Sequence, residues 1–311
     1  MPTPVVSDIR GPFADHLAAV IPPEETLVDP EHAVLEGGAE IVVSFARTQS
    51  RERFASLLGP NTRWVHVMST GVDGCALDVV PDGVLVTCSR GASADAISEW
   101  VVAMMLAHAK RLPDTWIDRP PEHWGFASLA SLDGASVGLV GLGAIATAVH
   151  RRLAGFDVQV LATRRRPVPA PDPTIEMVDS VAALLARVDH AVIAAPATPA
   201  TRHIVDARAL ASARPGLHLV NVARGSLIDQ DALVDALDDG RVARASLDVV
   251  DPEPLPDGHP LYAHPRVFVS AHVSWSSPVT LRRTVECFGE NLARYRAGRP
   301  LEGVVDLAAG Y

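Results

Sequence analysis

The chain has 311 residues, 48% hydrophobic and 21% charged, which is enough for two domains that each bury a core. A formal net charge of −10 without long blocks of like sign excludes the clustered basic face that a nucleic-acid partner requires. The three cysteines, Cys75, Cys88 and Cys287, show no Cys-x-x-Cys spacing, so thiols in a reducing compartment are expected rather than a metal site.

Met1-Pro2-Thr3-Pro4 lacks the basic segment and apolar core of a secretory signal. The longest apolar run, Trp100–Ala107, is too short to span a bilayer, so the expected location is the cytoplasm, with no membrane partner. In chain order, 40–44, 64–68 and 84–87 are β-branched runs bounded by Gly, Pro and Asp, and read as buried parallel strands. Between them Ser50–Leu58 has helical spacing and stops at Gly59-Pro60. Ala94–Arg111 reads as a long helix that carries the chain into a second domain. A polar, Trp-containing stretch (114–133) follows. Further strands are predicted at 136–140, 158–162, 190–194, 217–222, 245–249 and 267–269, with helices between most of them and a last helix over 278–297. Strands that alternate with helices imply a mainly parallel, doubly wound sheet.

The strongest local signal is Gly141-x-Gly143-x-x-Ala146, entered from the strand 136–140 and followed by an apolar helix. Gly141 suits a tight turn, Gly143 a close approach of backbone to a pyrophosphate, and Ala146 close helix–strand packing. The phosphates would lie on the helix N-terminus at Ala144 and Ile145. The next strand ends in Thr163-Arg164-Arg165-Arg166, where an acidic residue would hold the ribose of NAD. A guanidinium there pairs with a 2′-phosphate, so NADP(H) is expected over NAD(H), with NAD(H) possible.

Three later segments place polar groups just after buried strands: Asn221-Val222-Ala223-Arg224-Gly225-Ser226-Leu227-Ile228-Asp229, Asp248-Val249-Val250-Asp251-Pro252-Glu253-Pro254, and Val269-Ser270-Ala271-His272. Strand C-termini form the ligand crevice of an open α/β sheet. With Gly71-Val72-Asp73, the Pro196–Arg202 loop and Asp257–Leu261, these segments resemble, in order, the D-isomer-specific 2-hydroxyacid dehydrogenase family over nearly the whole chain.

The resemblance implies two Rossmann/flavodoxin-like α/β domains with parallel sheets and an interdomain active-site cleft. One is a discontinuous substrate domain (1–94 and 282–311) and the other a cofactor domain (95–281). It implies a homodimer and reduction of a small 2-oxo acid, glyoxylate or hydroxypyruvate-like, to the D-hydroxy acid. Arg224 would grip the substrate carboxylate and polarise its ketone, His272 would donate the proton, and Glu253 would orient the His272 ring. Cofactor contacts are implied at Gly141, Gly143, Ala144, Ile145, Thr163, Arg164, Arg165, Pro196, Thr201, Val222, Ala223, Asp248 and His272. Substrate contacts are implied at Ser69, Thr70, Gly71, Val72, Arg224 and Trp275. Trp275 stands where the family has smaller residues and a glycine, and Ser69-Thr70 opens the substrate loop in place of the usual small apolar and Gly residues. The rival readings are oxidation of another small anion such as phosphite and a nucleotide-sensing binding protein. An intact Arg, Glu and His disfavour the sensor.

Overall fold

Short β-branched runs with no polar alternation require strands covered on both faces, and the computed structural model has them. It describes all residues except 1–3, 11, 23–25, 29–37, 46–49, 126, 166–167 and 308. In chain order the elements are β1 (Pro4–Ser7), α1 (Pro12–Val20), β2 (Thr26–Val28), β3 (Ile41–Ser44), α2 (Arg51–Ser56), β4 (Trp64–Val67), β5 (Leu85–Cys88) and α3 (Ala94–Ala109). There follow β6 (Ser136–Val140), α4 (Ala144–Leu153), β7 (Gln159–Thr163), β8 (Ile175–Met177), α5 (Val181–Leu185), β9 (His190–Ile193), α6 (Ala207–Ala211) and β10 (Leu217–Asn221). The last are α7 (Gln230–Asp238), β11 (Val242–Leu247), α8 (Pro260–Ala263), β12 (Val267–Val269) and α9 (Pro278–Arg296). No helix among the described residues is long and apolar enough to cross a membrane.

The chain divides into two compact units, 1–93 with 276–311 and 94–275. The return into the first unit falls at 276 rather than the expected 282 because α9 belongs to that unit from its first turn. Ser277 caps α9 by accepting the Thr280 amide, and Val285, Phe288 and Leu292 pack with Leu17, Ile41 and Trp64.

The first unit is a parallel sheet in the order β2-β1-β3-β4-β5. Its buried polar network is fully directed. Ser89 donates to the Thr284 carbonyl (2.9 Å), so its oxygen accepts from His66 Nε2 (3.1 Å). His66 Nδ1 then accepts from Thr87 (2.8 Å), whose oxygen takes the Trp64 indole N–H (2.8 Å). Burial without a carboxylate partner pushes His66 down to about 3, so it is a neutral core residue.

The second unit is a seven-stranded parallel sheet in the order β12-β11-β10-β9-β6-β7-β8. Helices α3 and α4 cover one face through Val101, Met105, Val149 and Leu153. Helices α5, α6 and α7 cover the other through Leu184, Leu210, Leu233 and Leu237. The succession of strands reverses between β6 and β9, which makes a topological switch point at their carboxyl ends. Caps set the helix starts: Ser180 on α5, Asp206 on α6 and Asp229 on α7 each accept an amide of the first turn.

Candidate functional site

The fingerprint turn lies at the switch point. Gly141 has φ +92°, and a Cβ there would stand 2.7 Å from the Ala195 Cα and N at the end of β9, so only glycine fits. Gly143 caps α4 without a side-chain bond, and a Cβ on it would project into open space. The first-turn amides of this ten-residue helix therefore face a cradle that a Cβ would begin to fill, which fits a pyrophosphate.

At the end of β7, Thr163 is buried and its carbonyl accepts the Gly141 amide (2.9 Å). Arg164 folds back and donates to the Val168 and Pro169 carbonyls, whereas Arg165 is exposed. Arg166 lies outside the described residues. Arg164, expected to grip a 2′-phosphate, thus rests its guanidinium on the carbonyls of its own loop. In the 196–201 loop, Thr201 donates to the Pro196 carbonyl (2.7 Å) and accepts the Thr198 amide (2.8 Å), so its hydroxyl organises the loop. Among the described residues no cluster of His, Cys, Asp and Glu could hold a metal.

The register of β10, β11 and β12 brings the three polar segments to one edge. Asn221 pairs with Leu247 and Leu247 with Val269, so Arg224, Asp248 and His272 all emerge from one end of adjacent strands. Asn221, fully buried, shapes the turn: its Nδ2 donates to the Arg224 carbonyl (2.9 Å) and its Oδ1 accepts the Ala223 amide (3.1 Å). Val222 and Ala223 are buried beneath the turn, and Arg224 Nη1 donates to the Ala223 carbonyl (2.6 Å). Gly225 lies flat on the Val250 peptide, where a Cβ would overlap the Val250 carbonyl. Gln230 then grips the next turn, donating to the Asp251 carbonyl (2.6 Å) and accepting its amide (3.1 Å).

That turn presents Glu253. Its Oε2 is 2.8 Å from His272 Nδ1, with the two side chains 28% and 27% exposed, a pair that leaves His272 Nε2 for other partners. Other histidines are accounted for differently. His190 and His218 share a 3.0 Å Nδ1–Nδ1 contact at the opposite end of the sheet, and burial pushes His190 down to about 4 and His218 well below its ordinary value. Asp248 is 1% exposed, and its carboxylate takes three donors of the 270–274 segment: the Ser270 hydroxyl (2.5 Å) and the Val273 (2.9 Å) and Ser274 (3.0 Å) amides. The Asp248 carboxylate thus ties the histidine loop to the end of β11. The Trp275 indole N–H is likewise spent on the His272 carbonyl (2.8 Å), while its ring is half exposed.

In the first unit, the Ser69–Val72 loop follows β4. The Ser69 amide is taken by the Val67 carbonyl (2.8 Å) and its hydroxyl donates to the Gly71 carbonyl (2.5 Å), while Val72 is buried. Of the four expected anion-binding amides, those of Thr70, Gly71 and Val72 donate to no acceptor among the described residues.

Asn221, Gly225, Gln230 and Ser270 were not singled out as functional from sequence. An Asn closing a buried strand and a Gly directly after Arg224 are the signals that point to the first two.

Residues 102–274 match the family described as D-isomer specific 2-hydroxyacid dehydrogenase, NAD binding domain. A glyoxylate reductase of Thermofilum pendens is 33% identical over 245 residues, 75% of this chain and 71% of that protein. The glyoxylate reductase/hydroxypyruvate reductase of Homo sapiens is 31% identical over 265 residues, 82% and 80% of the two chains. Among solved structures, a D-isomer specific 2-hydroxyacid dehydrogenase from Xanthobacter autotrophicus Py2 in complex with NADPH and MES superposes with TM-score 0.86 and 28% identity, covering 100% of both chains. An NADPH-dependent glyoxylate/hydroxypyruvate reductase from Sinorhizobium meliloti, in complex with NADP and sulfate, gives 0.83 and 26%, over 99% and 100%. The chain belongs to the D-isomer specific 2-hydroxyacid dehydrogenase family of NAD(P)-dependent oxidoreductases.

Proposed function

We propose that this enzyme reduces a small 2-oxo acid of the glyoxylate or hydroxypyruvate kind to the D-2-hydroxy acid, with NADPH preferred over NADH and His272 as the proton donor. The observation that carries the reading is the 2.8 Å His272–Glu253 pair, set beside the Arg224 turn on adjacent strand ends. When bound, the dinucleotide supplies the hydride. The α4 N-terminus, behind Gly141 and Gly143, receives its phosphates. Arg224 binds the substrate carboxylate and draws charge from the ketone oxygen as the alkoxide forms. Glu253 holds the ring through Nδ1, so that Nε2 of His272 delivers the proton to that oxygen.

NADPH preference is supported by the missing carboxylate at the end of β7, by the exposed Arg165, and by the NADPH and NADP complexes of the two structural relatives. Replacement of Arg164 and Arg165 by Asp and Ala should lower the NADPH-to-NADH ratio of kcat/KM by tenfold or more. An unchanged ratio would overturn the cofactor preference. The substrate class is tested by following NADPH absorbance with a panel of 2-oxo acids. Turnover of glyoxylate or hydroxypyruvate supports it, and tight NADPH binding with no turnover across the panel would favour a sensor.

We further propose a cytoplasmic homodimer. Trp116 and Trp124, between α3 and β6, are 73% and 77% exposed, a large apolar area for a free surface. Light scattering that gives a monomer at micromolar concentration would contradict it.

A further inference from the structure

His272 has φ +53°, a left-handed conformation that an L residue with a bulky side chain rarely adopts. What holds it there is spread over three other residues. Its amide donates to the Asp248 carbonyl (2.9 Å), and its own carbonyl accepts the Trp275 indole N–H (2.8 Å). The segments on either side are tied to the Asp248 carboxylate: the Ser270 hydroxyl (2.5 Å) and the Val273 amide reach Oδ1, and the Ser274 amide reaches Oδ2. Asp248 is itself anchored in the sheet, since its amide donates to the Asn221 carbonyl (3.0 Å). A carboxylate this buried is costly unless donors meet it, and among the described residues its donors, Ser270, Val273 and Ser274, come from the loop that carries the histidine.

We propose that Asp248, Ser270 and Trp275 form a clamp that sets the backbone of His272, and so the direction of its Nε2, for proton transfer. They are positioning residues, and the proposal rests on the reading of His272 as the proton donor. With the amide, the carbonyl and Nδ1 of residue 272 all fixed, the ring keeps one orientation. Loss of a tie lets residue 272 relax toward negative φ and swings the ring away from Glu253. Asp248 thereby joins the β11 end to the β12 loop, and the two strands that present Glu253 and His272 keep a fixed spacing.

The test compares Ser270→Ala, Ser270→Thr and Trp275→Phe with the wild type. Ser270→Ala removes one donor, Ser270→Thr restores it, and Trp275→Phe keeps a ring while it deletes the indole N–H. For each, kcat and KM for glyoxylate or hydroxypyruvate, the NADPH Kd and the melting temperature are measured. A bond to a carboxylate lost from the clamp should lower kcat about tenfold to a hundredfold in Ser270→Ala, with KM and NADPH Kd within about twofold. Ser270→Thr should recover most of that loss, and Trp275→Phe should lose about three- to tenfold. Wild-type kcat in both Ser270→Ala and Trp275→Phe would overturn the clamp, as would a loss confined to NADPH Kd, which would make Asp248 a cofactor contact alone. A crystal structure of Ser270→Ala decides independently of turnover: residue 272 still at positive φ and bonded to Glu253 would refute the clamp. His272→Ala separates the two claims, because wild-type kcat in that variant would sink the proton-donor reading itself and the clamp's catalytic role with it. If Ser270→Ala does not fold, Trp275→Phe, altered at a half-exposed side chain, carries the test.

Discussion

Lowering the pH from 7 to 5 should weaken both units through histidines that have no relation to catalysis. His66 and His190 stay neutral in the fold, pushed down to about 3 and about 4 by burial. The unfolded chain protonates them near 6.5, so it gains protons that the fold refuses. Each such histidine costs about 1.4 kcal/mol of stability for every pH unit below 6.5, or about 2 kcal/mol at pH 5. Each unit thus loses about 2 kcal/mol, a sizeable share of the ~5–15 kcal/mol available to a folded domain. The loss is absent above the unfolded value and grows until the pH reaches the folded values. His218 adds in the same direction. A proton on the accepting Nδ1 of the His190–His218 pair would also set two N–H groups against each other across their 3.0 Å contact. Asp8 opposes the trend, since burial pushes its carboxyl up and its protonation favours the fold. Carboxylates held low, such as Asp189 beside Ser136, respond only at more acid pH. Urea unfolding at pH 7, 6 and 5, followed by fluorescence of Trp64 in its stack with Phe288 and Tyr295, measures the effect in the first unit. His66→Gln should remove about 2 kcal/mol of that unit's pH dependence. Equal midpoints at pH 7 and 5 in the wild type would refute the assignment of these histidines as neutral core groups.

Three substitutions probe the site from its scaffold. Gly141→Ala places a Cβ on the Ala195 backbone at positive φ, so it should cost more than about 1 kcal/mol by thermal unfolding and weaken NADPH at least tenfold. Retained NADPH affinity would deny the fingerprint its role. Gly225→Ala drives a Cβ into the Val250 peptide, which leads to the Glu253 turn. It should lower both the melting temperature and kcat, and an unchanged kcat would separate this contact from the chemistry. Glu253→Gln keeps the size of the side chain and removes the charge from the 2.8 Å bond to His272, so kcat should fall about tenfold, read in steady-state kinetics. Full activity would show that the carboxylate does not orient the ring.

The interior strands were legible because both of their faces are covered, and continuous β-branched runs such as Ile41–Ser44 follow from that. The edge strands β2 and β8 were not expected: each has three residues, and β8 carries the exposed Glu176 and Met177. Strand β1, next to the edge, was also unexpected, since Pro4–Ser7 offers two β-branched residues and a proline. Polar residues after strands marked Arg224, Glu253 and His272 because position at a strand end is a local property. Their supports were hidden because they act across the sheet. Ser270 finds Asp248 22 positions earlier, and Gln230 grips Asp251 21 positions later. The fold-back of Arg164 onto the carbonyls of its own loop had no signature in the Arg-rich run, where the sequence shows three equivalent cations.

The central claim is that His272 passes a proton to a 2-oxo acid while a nicotinamide cofactor is oxidised. Stopped assays and NADPH absorbance with glyoxylate and hydroxypyruvate, for the wild type and His272→Ala, test it most directly. The account predicts turnover by the wild type and a loss of a hundredfold or more in kcat for the variant, with NADPH binding retained. Equal turnover by the two proteins would contradict it.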